Sequence, residues 1–148
     1  MSKEFLYLIA LLVGAGISVQ AGVNAQLRTA TGNPILTALI SFLVGTSILL
    51  GAYLLTARTP PPYAAIVGLS WWKFMGGVMG TLYITGIIVL APRIGAANTI
   101  GFTIAGQLIF AVVLDHFGWI GFPVRPISLM RAAGVLLIIL GIFLVQKY

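Results

Sequence analysis

Residues 10–28 read ALLVGAGISVQAGVNAQLR and lie inside the first long apolar segment of the chain. The stretch carries Gln20, Asn24 and Gln26 where a helix facing lipid would carry leucine or isoleucine. On a helix of about 100° per residue, its small residues form one row, and Gln20 and Asn24 lie on another row about 200° away. Because a polar amide at bilayer depth needs a partner, we predict that protein encloses this helix on two sides.

The composition is that of an integral membrane protein. Of the 148 residues, 60% are hydrophobic and 7% are charged, and the mean hydropathy is +1.13. A soluble domain draws about a quarter of its residues from the charged types. The eight lysines and arginines are scattered singly, so the chain has no clustered basic patch for nucleic acid. Cysteine is absent, which excludes disulfides, thiolate metal sites and a cysteine nucleophile.

Five apolar segments are long enough to cross a bilayer, which takes about 20 residues. Asn33 supplies an N-cap for the second segment, and Pro34 suits its first helical position. Three prolines at 60–62 break the chain after it, and a tight turn at 91–95 makes the third and fourth segments antiparallel neighbours. We predict an all-α bundle of five transmembrane helices in one membrane domain, 1–148, with spans at about 5–27, 35–55, 71–90, 96–114 and 128–145.

The distribution of basic residues gives only a weak orientation. An odd number of spans places the termini on opposite sides of the membrane, and orientation follows the lysine and arginine counts near the span ends. The side of the N-terminus receives five basic residues, namely Lys3, Arg58, Lys73, Arg125 and Arg131. The other side receives three, namely Arg28, Arg93 and Lys147. This split is compatible with a cytoplasmic N-terminus and with insertion in both orientations.

Six motifs carry a resemblance to a known family, and their order and spacing are kept along the whole chain. They are Gln20-Ala-Gly-Val-Asn-Ala-Gln-Leu-Arg28, Asn33-Pro34, Ile40-Ser-Phe-Leu-Val-Gly45, Gly76-Gly-Val-Met-Gly80, Ala105-Gly-Gln-Leu108 and Asp115-His-Phe-Gly118. On these motifs the chain resembles the YdcZ-like family of the drug/metabolite transporter superfamily. The resemblance implies half of a ten-helix inverted-repeat transporter that pairs with a second copy of itself in the bacterial inner membrane. An antiparallel pair is the expected arrangement.

One relative of similar size differs at a decisive place. Small multidrug resistance proteins use a glutamate inside the first helix to exchange protons for cations. The first helix of this chain has no carboxylate beyond Glu4 at its start. Proton-coupled cation export is therefore not carried over to this chain.

Polar side chains of spans one, three and four are the candidate binding groups. The amides of Gln20 and Asn24 lie one turn apart and could line a cavity together, or they could serve only as hydrogen bonds between helices. Gln107 presents the same two alternatives, and Asn98, near the start of its helix, also suits a helix cap or a bridge between helices. The candidate substrate-binding residues are Gln20, Asn24, Tyr83, Asn98, Thr103 and Gln107.

Charged groups at the span ends have two interpretations each. Asp115 and His116 could relay protons, or they could form a solvated helix end with Asp115 paired to Arg125 or Arg131. Arg28 could attract an anionic group or anchor its helix at the interface. One histidine and two carboxylates do not match the spacing of a metal site.

The sequence predicts a transporter rather than an enzyme, with no cofactor. No nucleophile and base pair up, no glycine loop suits a phosphate, and no charge lies near the middle of a span. We expect a small exporter, surrounded by membrane lipids, that acts as a homodimer on a neutral, zwitterionic or amphipathic substrate, including lipid-like molecules. The alternative is a non-transporting membrane scaffold. In either protein, Gly134 and Gly141 on one face of span five suit the contact between subunits.

Overall fold

The computed structural model describes residues 2–57 and 66–147, and every regular element in these ranges is a helix. Five helices in these ranges are long and apolar enough to cross a membrane. They are α1 Lys3–Thr31, α2 Pro34–Thr56, α3 Met75–Ile94, α4 Ala96–Phe117 and α5 Leu129–Lys147. The predicted fold class, an all-α membrane protein with five spanning helices, is confirmed.

The helices extend past several of the predicted span ends. A 3₁₀ turn at Trp71–Phe74 precedes α3, which continues through Pro92 to Ile94. The predicted tight turn at 91–95 is therefore mostly helix, and Gly95, with φ of 87°, makes the turn into α4. A proline beyond the first helical turn removes one hydrogen bond and crowds the carbonyl four residues earlier, and α3 ends two residues after Pro92. The predicted proline break at 60–62 lies outside the described residues.

The start of α2 has the cap that the sequence predicts. Asn33 Oδ1 accepts hydrogen bonds from the N–H groups of Ile35 at 2.8 Å and Leu36 at 3.2 Å. Pro34 occupies the first helical position, where a missing N–H costs nothing. These two residues satisfy the helix start locally, which is why the sequence alone defines it.

The end of α1 is also stabilised by local hydrogen bonds. Gly32 has φ of 67°, a left-handed conformation that glycine adopts without strain, and its N–H donates to the Arg28 carbonyl at 2.9 Å. Thr37 is fully buried, and its hydroxyl lies 2.7 Å from Thr31 Oγ1 and 2.9 Å from the Asn33 carbonyl. The connection between α1 and α2 is therefore a rigid turn.

The chain divides after Val89 into two compact units, which we describe separately. In the first unit α1 packs against α2, and the small side chains Ala21 and Ala38 are buried. In the second unit α4 packs against α5, and a Cβ added at Gly101 would lie 3.1 Å from Ile142 Cγ2. Small residues at such contacts let helices approach closely in lipid. That residues 1–148 form one membrane domain stays a prediction.

Candidate functional site

A cavity of about 230 Å³ lies in the first unit. Three helices contribute to its wall, and α2 contributes the most residues. The lining consists of Gln20 from α1, Ser41, Phe42, Gly45, Thr46 and Leu49 from α2, and Ile84 from α3. Both polar and apolar side chains thus line one concave space.

The polar groups of this wall are all uncharged and are not engaged elsewhere. Among the residues that the structure describes, none forms a hydrogen bond with the side chains of Gln20, Ser41 or Thr46. An amide offers both donors and an acceptor, and each hydroxyl offers one donor and two acceptor lone pairs. The wall therefore presents hydrogen-bonding capacity to a ligand that carries polar but uncharged groups.

For comparison, another hydroxyl on the same helix is already hydrogen-bonded. Ser47 also lies on α2, but its Oγ donates to the Leu43 carbonyl at 2.9 Å, and it is not part of the lining. Serine hydroxyls commonly bond back to the preceding turn in this way. Ser41 and Thr46 differ from Ser47 in having no such bond within residues 2–57 and 66–147.

Asn24 lies one turn beyond Gln20 and is 3% exposed. Its amide takes part in none of the hydrogen bonds of the described residues. No side-chain nitrogen or oxygen in those ranges is both fully enclosed and without a partner. The small exposed fraction of Asn24 therefore includes its amide, which loses most of its hydration and gains no hydrogen bond.

Tyr83 precedes the cavity residue Ile84 on α3. It is half-buried, and it is not one of the residues that line the cavity. Successive residues on a helix point about 100° apart, so Ile84 takes the position facing the cavity. The substrate-binding role of Tyr83 stays a prediction.

The remaining candidates lie on α4, in the second unit. The amide of Asn98 donates to the Ile94 carbonyl at 2.9 Å, and the hydroxyl of Thr103 donates to the Ile100 carbonyl at 2.9 Å. Asn98 thus bridges the start of α4 to the last carbonyl of α3. Gln107 is exposed and forms no hydrogen bond with the described residues. Binding of substrate by these three residues stays a prediction.

The Asp115 and His116 pair attaches the following loop to the end of α4. Arg131 Nη2 lies 2.6 Å from Asp115 Oδ2, and Arg131 Nη1 donates to the Arg125 carbonyl at 2.8 Å. His116 Nδ1 accepts the N–H of Ile127 at 3.1 Å. The ion pair with Arg131 is one of the pairings that the sequence allows. A proton relay through Asp115 and His116 stays a prediction.

The contribution of α2 to the wall was missed by sequence reasoning. Ser41, Gly45 and Leu49 recur every four residues, and this spacing places them on one helix face. A polar residue and a glycine on one stripe of a strongly apolar helix are the signal that could have found this face. The signal is weak, because small and hydroxyl residues on such a stripe also serve helix packing.

Comparisons with known proteins give one consistent result. The family model described as "Putative inner membrane exporter, YdcZ" matches residues 5–144. Inner membrane protein YdcZ of Escherichia coli (strain K12) is 30% identical over 142 residues, which cover 94% of each chain. No solved structure matches the chain.

Proposed function

The chain belongs to the YdcZ family of inner membrane exporters, and we propose that it exports a small, uncharged, amphipathic molecule as a homodimer. Family membership and five apolar helices make it a multi-pass transporter of the bacterial inner membrane. The proposed substrate class rests on the polar side chains that line the cavity in the first unit. They are uncharged and form no hydrogen bonds with the described residues.

The absence of charge from the seven lining residues selects the substrate. Moving an ionised group out of water costs several kcal/mol unless an opposite charge or several hydrogen bonds replace its hydration. The wall offers no opposite charge, so an ionised ligand would not recover that cost. A neutral amide or hydroxyl would bind Gln20, Ser41 and Thr46, while its apolar part contacts Phe42 and Leu49.

The size of the cavity favours a small substrate. Sites for drug-sized ligands usually enclose about 300–1,000 Å³, and this cavity has about 230 Å³. A molecule with one ring and one polar group matches that space. For a larger, lipid-like molecule, the cavity would hold only the head, and the rest would lie outside.

Four probes that share one aromatic ring test the charge preference. We expect benzamide to bind the detergent-solubilised protein more tightly than benzoate, benzylammonium or phenylglycine, as measured by calorimetry. In proteoliposomes, radiolabelled benzamide should show saturable flux. Tighter binding of any charged probe would contradict the proposed substrate class.

Variants of the wall identify the site. Gln20→Leu and Ser41→Ala should each weaken benzamide binding about tenfold, which corresponds to the loss of one hydrogen bond of roughly 1.4 kcal/mol. Ser47→Ala is the matched control, because that hydroxyl bonds to its own helix, and it should bind like the wild type. A scaffold protein would instead tolerate Gln20→Leu and show no saturable binding in either form.

The proposed homodimer uses the open face of α5. None of the described residues of α5 is buried, and a Cβ added at Gly134 or Gly141 would meet no described atom within 4 Å. These two glycines are seven residues apart and thus share a face, where a second helix could approach closely. The weak charge bias supports pairing of two oppositely inserted copies.

Thiol labelling tests this arrangement, since the chain contains no cysteine. Single cysteines introduced at residue 2 and, in a separate variant, at residue 148 should each react with a membrane-impermeant maleimide from both sides of the membrane. About half of the chains should be labelled from each side. Labelling of each position from one side only would exclude the antiparallel homodimer.

A further inference from the structure

Pro92 leaves a carbonyl of α3 without its usual helical partner. In an α-helix the carbonyl of each residue accepts the N–H of the residue four positions later. The residue four positions after Ile88 is Pro92, which has no N–H. Ile88 is 0% exposed, so solvent does not reach its carbonyl oxygen. Some other donor has to satisfy this oxygen.

Arg28 of α1 supplies that donor. Its Nη1 lies 2.7 Å from the Ile88 carbonyl oxygen and 3.4 Å from the Val89 carbonyl oxygen. Hydrogen bonds from a charged donor are about twice as strong as bonds between neutral groups. This contact differs from the two roles that the sequence suggested for Arg28, which were an interfacial anchor and a site for an anion.

The turn after α1 holds the arginine in place. The carbonyl of Arg28 accepts the N–H of Gly32 at 2.9 Å, and the hydroxyl of Thr31 bonds to that of the fully buried Thr37. The donor therefore comes from a backbone that is itself fixed.

The contact lies next to the cavity. Ile88 is one turn beyond the cavity residue Ile84 on α3, and Arg28 is two turns beyond Gln20 on α1. At about 1.5 Å per residue, these separations are about 6 Å and 12 Å. The long side chain of Arg28 points back towards the start of its helix, which compensates for the difference between these two separations. The bond joins the two helices that supply Gln20 and Ile84.

We propose that Arg28 replaces the N–H that Pro92 lacks and thereby links α1 to α3 at the end of the cavity. Arg28 is a positioning residue, since it acts on the cavity through the backbone of α3. We call this bridge, from an arginine of α1 to the carbonyl that a proline leaves free in α3, the latch.

A double-mutant cycle tests the link between the two residues. Arg28→Met should lower the melting temperature in detergent by about 5 °C, because the Ile88 carbonyl loses its partner. In a Pro92→Ala background the new N–H bonds to that carbonyl, so Arg28→Met should cost less than half as much. Arg28→Lys should be intermediate, since one ammonium group can reach one carbonyl. An equal loss in both backgrounds would overturn the proposal.

A distance measurement separates positioning from simple stabilisation. Spin labels at cysteines replacing Val23 on α1 and Leu82 on α3, both exposed, report the separation of these helices. We expect Arg28→Met to broaden the distance distribution in the wild-type background. Pro92→Ala alone should also broaden it, although it preserves stability, because its new N–H takes the carbonyl to which Arg28 bonds. Adding Arg28→Met to Pro92→Ala should then broaden the distribution no further. An unchanged distribution in both single variants would show that Arg28 does not position α1.

The competing role, binding of an anionic lipid headgroup, is an outcome of the same experiment. The cycle is repeated in nanodiscs of zwitterionic lipid and in nanodiscs containing an anionic lipid. If the effect of Arg28→Met appeared only with the anionic lipid, the latch would be excluded. No transported substrate enters these measurements, so their failure is distinguishable from a failure of the proposed substrate class.

Discussion

Gly118→Ala is expected to lower the free energy of unfolding by about 2–4 kcal/mol. Gly118 has φ of 63°, and a Cβ built on it would lie 2.7 Å from Val124 Cγ2 and 3.4 Å from the Phe122 carbonyl oxygen. The left-handed backbone costs a residue with a Cβ about 1–2 kcal/mol, and the collision adds a similar amount. Thermal or chemical unfolding in detergent measures the sum.

Two variants separate these contributions. Gly121 has φ of 85°, but a Cβ there would meet no described atom within 4 Å, so Gly121→Ala should cost only the backbone strain. Adding Val124→Ala to Gly118→Ala should recover the part due to the collision. The prediction fails if Gly118→Ala costs no more than Gly121→Ala.

The position matters because the loop after Gly118 is tied back to α4. The N–H of Arg125 donates to the Asp115 carbonyl at 2.7 Å, and the N–H of Ile127 donates to His116. A shift of Val124 would move its neighbour Arg125 and disturb these bonds. The loop thus has little freedom to relieve the collision.

Asn24→Leu is expected to raise the free energy of unfolding by about 1–2 kcal/mol and to reduce transport. Asn24 is 3% exposed, and its amide bonds to none of the described residues. Burying an amide without a hydrogen bond costs about 1–3 kcal/mol, and leucine has the same number and branching of heavy atoms without that cost. Unfolding and saturable flux, measured on the same preparation, give the two results.

Gln26→Leu is the matched control on the same helix. Gln26 is exposed, so its replacement should change the stability by less than about 0.5 kcal/mol. A protein that retains a destabilising amide one turn from Gln20 is expected to use it for its activity. If Asn24→Leu were both more stable and fully active, Asn24 would have no part in transport.

Local sequence patterns were sufficient to predict the helices. The apolar runs, the Asn33 cap and the Gly32 turn predict the elements that the structure contains, since each depends on residues within a few positions along the chain. The turn at 91–95 was the exception. Proline is the strongest local signal for a helix break, but α3 continues through Pro92, and an arginine from another helix bonds to the carbonyl that proline leaves free.

The candidate site was only partly predictable. Gln20 was recognised from its chemistry, because an amide in an apolar helix is unusual at any position. Ser41 and Thr46 were not recognised, because a hydroxyl in a helix usually bonds to its own backbone, as that of Ser47 does. The sequence does not show whether a given hydroxyl forms that local bond or lines a cavity built with other helices.

By itself, the amino-acid sequence determined that the chain crosses the membrane in five helices. In lipid nearly all backbone groups of a spanning helix are satisfied within that helix, so apolar length and local caps are sufficient evidence. The tertiary structure alone decided which polar groups are paired and which are available. Arg28 and Ile88 are 60 residues apart, and three helices build the cavity wall. Side-chain hydrogen bonds in the interior depend on distances between helices, and no local pattern encodes them.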